Sequence, residues 1–197
     1  MRVVIHIIKS RLGKIMNILK KSALIVLCAS FLIDLSCSTY DDLAQYRYNA
    51  YVRAFLDAIA FAEGTNTAYG YRMQYPGVTF DTFDDHPRTV LCAMHNGKPL
   101  CATAAGRYMF LQRTWDRLAP KIKARDFGPH NQDKAAIALL YEKKALPDIM
   151  AGKFENAVKK VNTVWATLPG APYGQTTKTM QELERVFRQR LAYYKSR

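Results

Sequence analysis

Glu63 stands at the end of an apolar helical stripe. Val52, Leu56, Ile59 and Glu63 follow one another at intervals of four, three and four residues, which puts all four side chains on one face of an α-helix. A carboxylate aimed where a core-facing stripe is aimed loses hydration, and the negative end of the helix dipole lies beside it. Both effects raise its pKa. A carboxyl kept protonated near neutral pH is what a general acid needs. The plainer alternative is that Glu63 points past the helix end into water, or pairs with a cation such as Arg107.

A second chemical pair is Cys92 and Cys101, which flank "AMHNGKPL". Asn96-Gly97 is a two-residue hairpin signal, and a turn centred there pairs His95 with Lys98, Met94 with Pro99, Ala93 with Leu100 and Cys92 with Cys101. Met94 and Pro99 then form a non-hydrogen-bonded pair, where a residue without N–H costs nothing. By alternation Cys92 and Cys101 form another, whose short Cα separation suits a disulfide. No second ligand pair stands at zinc spacing, so no metal and no cofactor is expected. His86, His95 and His130 lack a nucleophile at a recognisable spacing, and no catalysis is assigned to them.

The elements that must position these groups follow from the patterning. The stripe predicts a helix within residues 41–62, with Gly64 as its stop. Between Gly70 and Thr103, Gly, Pro, Asn and Asp punctuate short runs such as "VTF" and "TVLCAM", the mark of a small β region. Helical segments return in "RYMFLQRTWDRL", "NQDKAAIALLYEKKA", "LPDIMAG", "FENAVKKVNTVWATL" and "TTKTMQELERVFRQRLAYYK". Prolines 120, 129, 147, 169 and 172 fall between them or at their starts. Thr179 to Glu182 reads as a capping box. The expected class is α+β, mainly helical.

Of the 197 residues, 49% are hydrophobic and 23% charged, a globular composition that fits one domain. Residues 1–38 differ. Lys20 and Lys21 precede an apolar run from Ala23 to Ile33 that is too short to span a bilayer, and Ser36 and Ser38 follow it. That is the layout of a secretory signal peptide, with Met16 a more typical start than Met1. Cys37 raises the alternative of a lipid anchor, and with it the one route to a membrane. Asp34 stands where a lipobox wants an aliphatic residue, so a free product is preferred. The expected organisation is an export leader over 1–38 and a catalytic domain over 39–197, acting in the periplasm or outside the cell.

The formal charge is +13, but the leader holds six Lys/Arg and one Asp, leaving 23 basic against 15 acidic side chains, a net +8. The cations are spread along the chain with no nucleic-acid recognition motif, so nucleic acid is not the expected partner. An anionic polymer such as a bacterial wall suits an exported basic protein better.

Six blocks carry a resemblance: "AFLDAIAFAEGT" (54–65), "FDTFDDHPR" (80–88), "TAAGRYMFL" (103–111), "RDFGPHNQD" (125–133), "ALPDIM" (145–150) and "VWATLPGAPYGQ" (164–175). In order and spacing they resemble the bacteriophage lambda endolysin family, lysozyme-like lytic transglycosylases that cut peptidoglycan. The resemblance implies a lysozyme-like fold with a saccharide cleft between a helical lobe and a small β lobe. It implies Glu63 as a single acid/base acting on the bond between N-acetylmuramic acid and N-acetylglucosamine, with a 1,6-anhydro product. Tyr108, Gln132, Tyr173 and Gln175 are the expected cleft residues. Peptidoglycan strands are the expected partner, with no stable protein partner.

Ordinary glycosidases use two carboxyl groups. Asp81, Asp84 and Asp85 come from the β region where a second would sit, but "DDHPR" reads as a turn with Asp84 or Asp85 paired to Arg88. A lysozyme that uses water is the first alternative, and a wall-binding protein without turnover the second. Met109 departs from the family, which usually has glutamine there, and Pro172 is a milder departure. A methionine beside Glu63 would make its surroundings more apolar and raise its pKa further.

Overall fold

Helix, two hairpins and five further helices make up the structure, a computed structural model that describes Tyr40 and residues 42–197 apart from Asn96. The expected leader, with Cys28, Cys37 and both candidate start methionines, lies outside the described residues. After a 3-10 helix (Asp42–Tyr48), helix α1 (Ala50–Ala62) leads into β1 (Met73–Gln74) and β2 (Val78–Thr79), then β3 (Leu91–His95) and β4 (Lys98–Ala102). The remainder is helical: α2 (Gln112–Leu118), α3 (Pro129–Glu142), α4 (Leu146–Met150), α5 (Phe154–Val161) and α6 (Met180–Lys195). The strands form two separate antiparallel pairs.

Asn49 starts α1 by accepting hydrogen bonds from the Tyr51 and Val52 N–H groups at 3.0 and 3.2 Å, satisfying donors that a helix start leaves unpaired. The helix is buried almost all round rather than along one stripe, with Val52, Ala54, Phe55, Leu56, Ala58 and Ile59 all inside. It therefore acts as the central rod of the helical lobe. Helix α6 lies against it, and α3 and α4 also touch it. Phe55 meets Phe154 of α5 at a centroid separation of 5.5 Å and Phe187 of α6 at 6.4 Å, and the latter two stack at 4.9 Å. The capping box at Thr179 and Glu182 is formed as expected.

A second aromatic cluster supports the β lobe. Phe127 lies 4.7 Å from Trp115 of α2, 5.8 Å from Phe80 and 4.9 Å from the ring of His86. His86 is buried and bridges backbone groups, its Nδ1 accepting from Arg88 N–H and its Nε2 facing the Phe110 carbonyl oxygen at 2.8 Å.

The β3–β4 register is the one expected, with Cys92 opposite Cys101 and His95 opposite Lys98, and the disulfide is present. Alternation sends Leu91, Ala93, His95, Leu100 and Ala102 inward and leaves both cysteines on the exposed face. Two helical expectations need correction. "RYMF" is not helical: Ala105 bridges Phe110, and α2 begins only at Gln112. The cause is backbone geometry, since Gly106 and Met109 take φ of 76° and 45°, outside the helical region. "NTVWATL" is likewise a series of turns beyond the end of α5 at Val161.

The disulfide closes a loop of sequence separation 9. The Cys92→Ser/Cys101→Ser double variant is expected to lose about 2–3 kcal/mol in urea unfolding, the loop-closure entropy of so short a ring. A variant as stable as the parent would show that the hairpin holds its shape without the bond.

Candidate active site

Glu63 is the C-cap of α1. Its N–H still donates to the Ile59 carbonyl at 2.9 Å, and Gly64 at φ 73° then turns the chain out of the helix. Thr65 pins the turn. Fully buried, it donates its N–H to Ala60 O at 2.8 Å and its hydroxyl to the carbonyls of Ala60 and Arg107. Arg107 returns a guanidinium N–H to Thr65 O at 3.4 Å and a second to Asp57 at 2.8 Å.

Asp57 lies on α1, six positions before Glu63, and is only 6% exposed. Its other oxygen accepts from Arg190 Nε at 2.5 Å and Tyr194 OH at 2.7 Å, both on α6. Two close approaches require glycine here. A Cβ on Gly70 would lie 2.0 Å from Thr65 O, and one on Gly106 would lie 2.3 Å from Gln132 Oε1.

The Glu63 side chain is half-buried in the wall of a cavity of about 710 Å³, shared with Tyr75, Met109, Thr167, Tyr173 and Gln175. Thr167 Oγ1 donates to Glu63 Oε1 at 2.5 Å. Burial pushes the carboxyl from its ordinary value of 4.5 up to about 7, against the opposing pull of the Thr167 hydrogen bond. At neutral pH the group is then present in both forms, able to give a proton and to take one back.

Of the residues lining the cavity, Glu142 is the other carboxylate. It is engaged by Arg117 Nη1 at 2.5 Å and Lys121 Nζ at 3.5 Å. Asp81, Asp84 and Asp85 are not in that wall. Asp85 instead binds Arg88 at 2.8 Å and accepts from the Trp115 indole N–H at 3.1 Å, as the turn pattern suggested. Among the described residues, no three His, Cys, Asp or Glu side chains converge to hold a metal ion.

The structure brings Glu63, Tyr173 and Gln175 together in one wall and leaves Tyr108 and Gln132 elsewhere. Tyr108 is 2% exposed and donates its hydroxyl to Asp133 at 2.7 Å. Gln132 is fully buried: its Oε1 accepts from Arg107 N–H at 2.8 Å, and its amide N–H groups donate to Phe127 O at 2.7 Å and Tyr71 O at 3.0 Å. Fully buried, with both amide N–H groups donated and its oxygen bonded to the Arg107 N–H, this amide braces the Arg107 corner and lies out of a ligand's reach. Trp165 is core, with its N–H donating to the Tyr108 carbonyl. Met109 does share the wall with Glu63, as does His95, to which the sequence assigned no role in catalysis, and Thr167 is a cavity residue the sequence did not single out.

A mainly helical domain with two small hairpins and a protonatable carboxyl in the wall of a cavity is lysozyme-like in form. The comparisons agree: the family model described as Endolysin matches residues 53–193, and the chain belongs to the endolysin family. The endolysin of Escherichia phage lambda is 39% identical over 129 residues, 62% of this chain and 80% of that protein. The endolysin of Escherichia phage P2 is 35% identical over 149 residues, 70% of this chain and 90% of that protein. The structure of bacteriophage lambda lysozyme complexed with a chitohexasaccharide matches with a TM-score of 0.68 and 34% identity, covering 72% of this chain and 94% of that one. Lysozyme from bacteriophage lambda in a second structure gives a TM-score of 0.59 at 32% identity, covering 75% and 94%.

The raised pKa of Glu63 has a thermodynamic consequence. Between about 4.5 and about 7 the folded state holds more protons at this site than the unfolded chain, so its contribution to stability falls as pH rises through that window. Glu63→Gln, which cannot ionise, is expected to exceed the parent by ~3 kcal/mol near pH 8 and by nothing near pH 4 in denaturant titrations. An equal difference at both pH values would mean that the carboxyl titrates normally.

Proposed function

We propose that the protein is an exported peptidoglycan-degrading enzyme that cleaves the β-1,4 bond between N-acetylmuramic acid and N-acetylglucosamine, acting as a lytic transglycosylase. The observation that carries this reading is Glu63: one carboxyl, half-protonated near neutral pH, in the wall of a cavity whose other carboxylate is held by cations. Protonated Glu63 gives its proton to the glycosidic oxygen as the bond to the muramyl C1 breaks. The substrate's own N-acetyl group stabilises the electron-poor C1. The muramyl C6 hydroxyl then attacks C1, Glu63 takes the hydroxyl proton, and a 1,6-anhydro ring results. The carboxyl ends as it began, so the cycle needs no second protein acid or base.

The chitohexasaccharide complexed with lambda lysozyme supports a β-1,4 glycan as the ligand class. Tyr173 and Gln175, an aromatic and an amide in the wall, are suited to sugar faces and hydroxyls. The leader pattern of residues 1–38 supports export. Hydrolysis by water is the second reading, and Glu142 is the observation in its favour, since it is the other carboxylate of the wall and would serve as the base for water once released from Arg117 and Lys121.

Mass spectrometry of muropeptides released from purified peptidoglycan distinguishes the readings. Anhydro-muramyl ends are expected, at a rate that falls as pH rises through about 7 because the acid form is lost. Glu63→Gln is expected to lower release at least ~100-fold. Reducing ends would mean a lysozyme that uses water, and no release by the folded protein would mean a wall-binding protein without turnover.

A further inference from the structure

One edge of the cavity is basic, and two of its cations, Arg113 and Lys143, are left without a carboxylate partner among the described residues. Arg113 and Arg117 stand one turn apart on α2, on the same helical face. Arg117 reaches Glu142 at the end of α3, and Lys143 follows directly, donating its Nζ to Thr163 Oγ1 at 3.0 Å. Arg113, Arg117 and Lys143 all line the cavity that holds Glu63. Arg113 and Lys143 are exposed, and neither has a carboxylate partner among the described residues.

The basic edge is close to the acid. Residues 163–167 line the cavity, with Lys143 bonded at Thr163 and Glu63 bonded at Thr167. Four residue steps of chain separate those two anchors, at most ~14 Å even if fully extended. A cation anchored that near a proton donor, with Arg113 lining the same concave site, makes a local field that favours an anion. An N-acetylglucosamine polymer has no charge to meet them. The muramyl unit of the wall does: its lactyl group carries a peptide arm bearing free carboxylates, and arginine pairs with carboxylates through two parallel N–H groups.

We propose that Arg113 and Lys143 form a subsite for the carboxylates of the muramyl peptide arm, so that the cavity selects peptide-bearing wall glycan over an uncharged chitin-type chain. This rests on the peptidoglycan reading above and adds the part of the substrate that sets the preference.

The test is equilibrium binding to the full chain carrying Glu63→Gln, so that ligands survive. The probes are chitohexasaccharide and a wall hexasaccharide with its peptide arms. The peptide-bearing ligand is expected to bind more tightly at low salt, and its lead to shrink at high salt. Adding Arg113→Gln and Lys143→Gln is expected to cut the ratio of the two affinities about tenfold. Both side chains are exposed, so the melting temperature should hold, and the single Arg113→Gln change, expected to move the ratio part of the way, serves if the pair destabilises the protein. An unchanged ratio, or equal losses for both ligands, overturns the proposal. Muropeptide release by the parent separates the two failures. Release with an unchanged ratio sinks the subsite alone, whereas no release sinks the enzymatic reading.

Discussion

The buried charge of Asp57 is the constraint around which the rest is arranged. A carboxylate 6% exposed on a central helix must be answered, and Arg107 and Arg190 answer it from two different elements. Leaving such a charge unpaired costs several kcal/mol, so alternatives that separate the three groups are strongly disfavoured. Arg107 also reaches Thr65 O, and its backbone is held by Gln132, so one residue joins the exit of α1, the "GRY" corner and the start of α3. The turn carrying Glu63 is thereby fixed by groups that never touch its carboxyl.

That rigidity gives the half-buried carboxyl its chemical character. A side chain free to swing into water would titrate normally, whereas one held in a cavity wall keeps its proton to about 7. The fold bears this as lost stability at alkaline pH, the usual cost of a reactive site. Thr167, which donates the hydrogen bond to the Glu63 carboxyl, comes from 104 positions along the chain. The disulfide sits on the opposite face of the hairpin from His95 and Leu100, so it stiffens one wall of the cavity without entering it.

Features governed by local periodicity were legible in the sequence. The spacing of Val52, Leu56, Ile59 and Glu63 located α1 and its terminal carboxyl, and Asn96-Gly97 located the hairpin register and the cysteine pair. The six ordered blocks located the family. Features that depend on residues far apart were not legible. Nothing at Asp57 announces that it will meet Arg107, 50 residues on, and Arg190, 133 residues on. Tyr108 and Gln132 are expected in the cleft because they lie in blocks that carry the resemblance, yet tertiary partners engage their polar groups and bury them. The helical pattern beginning at Arg107 failed for the same reason, since the backbone there follows the Arg107 anchor and two positive φ angles rather than local propensity.

Catalysis of the proposed kind turns on the protonation of one carboxyl, and titrating it directly is the most decisive measurement. The 13C shift of the Glu63 side-chain carboxyl, assigned by its loss in Glu63→Gln, can be followed from acid to alkaline pH. An inflection at about 7 is the predicted result, while an inflection at the ordinary 4.5 would contradict it and leave the wall cavity without its acid.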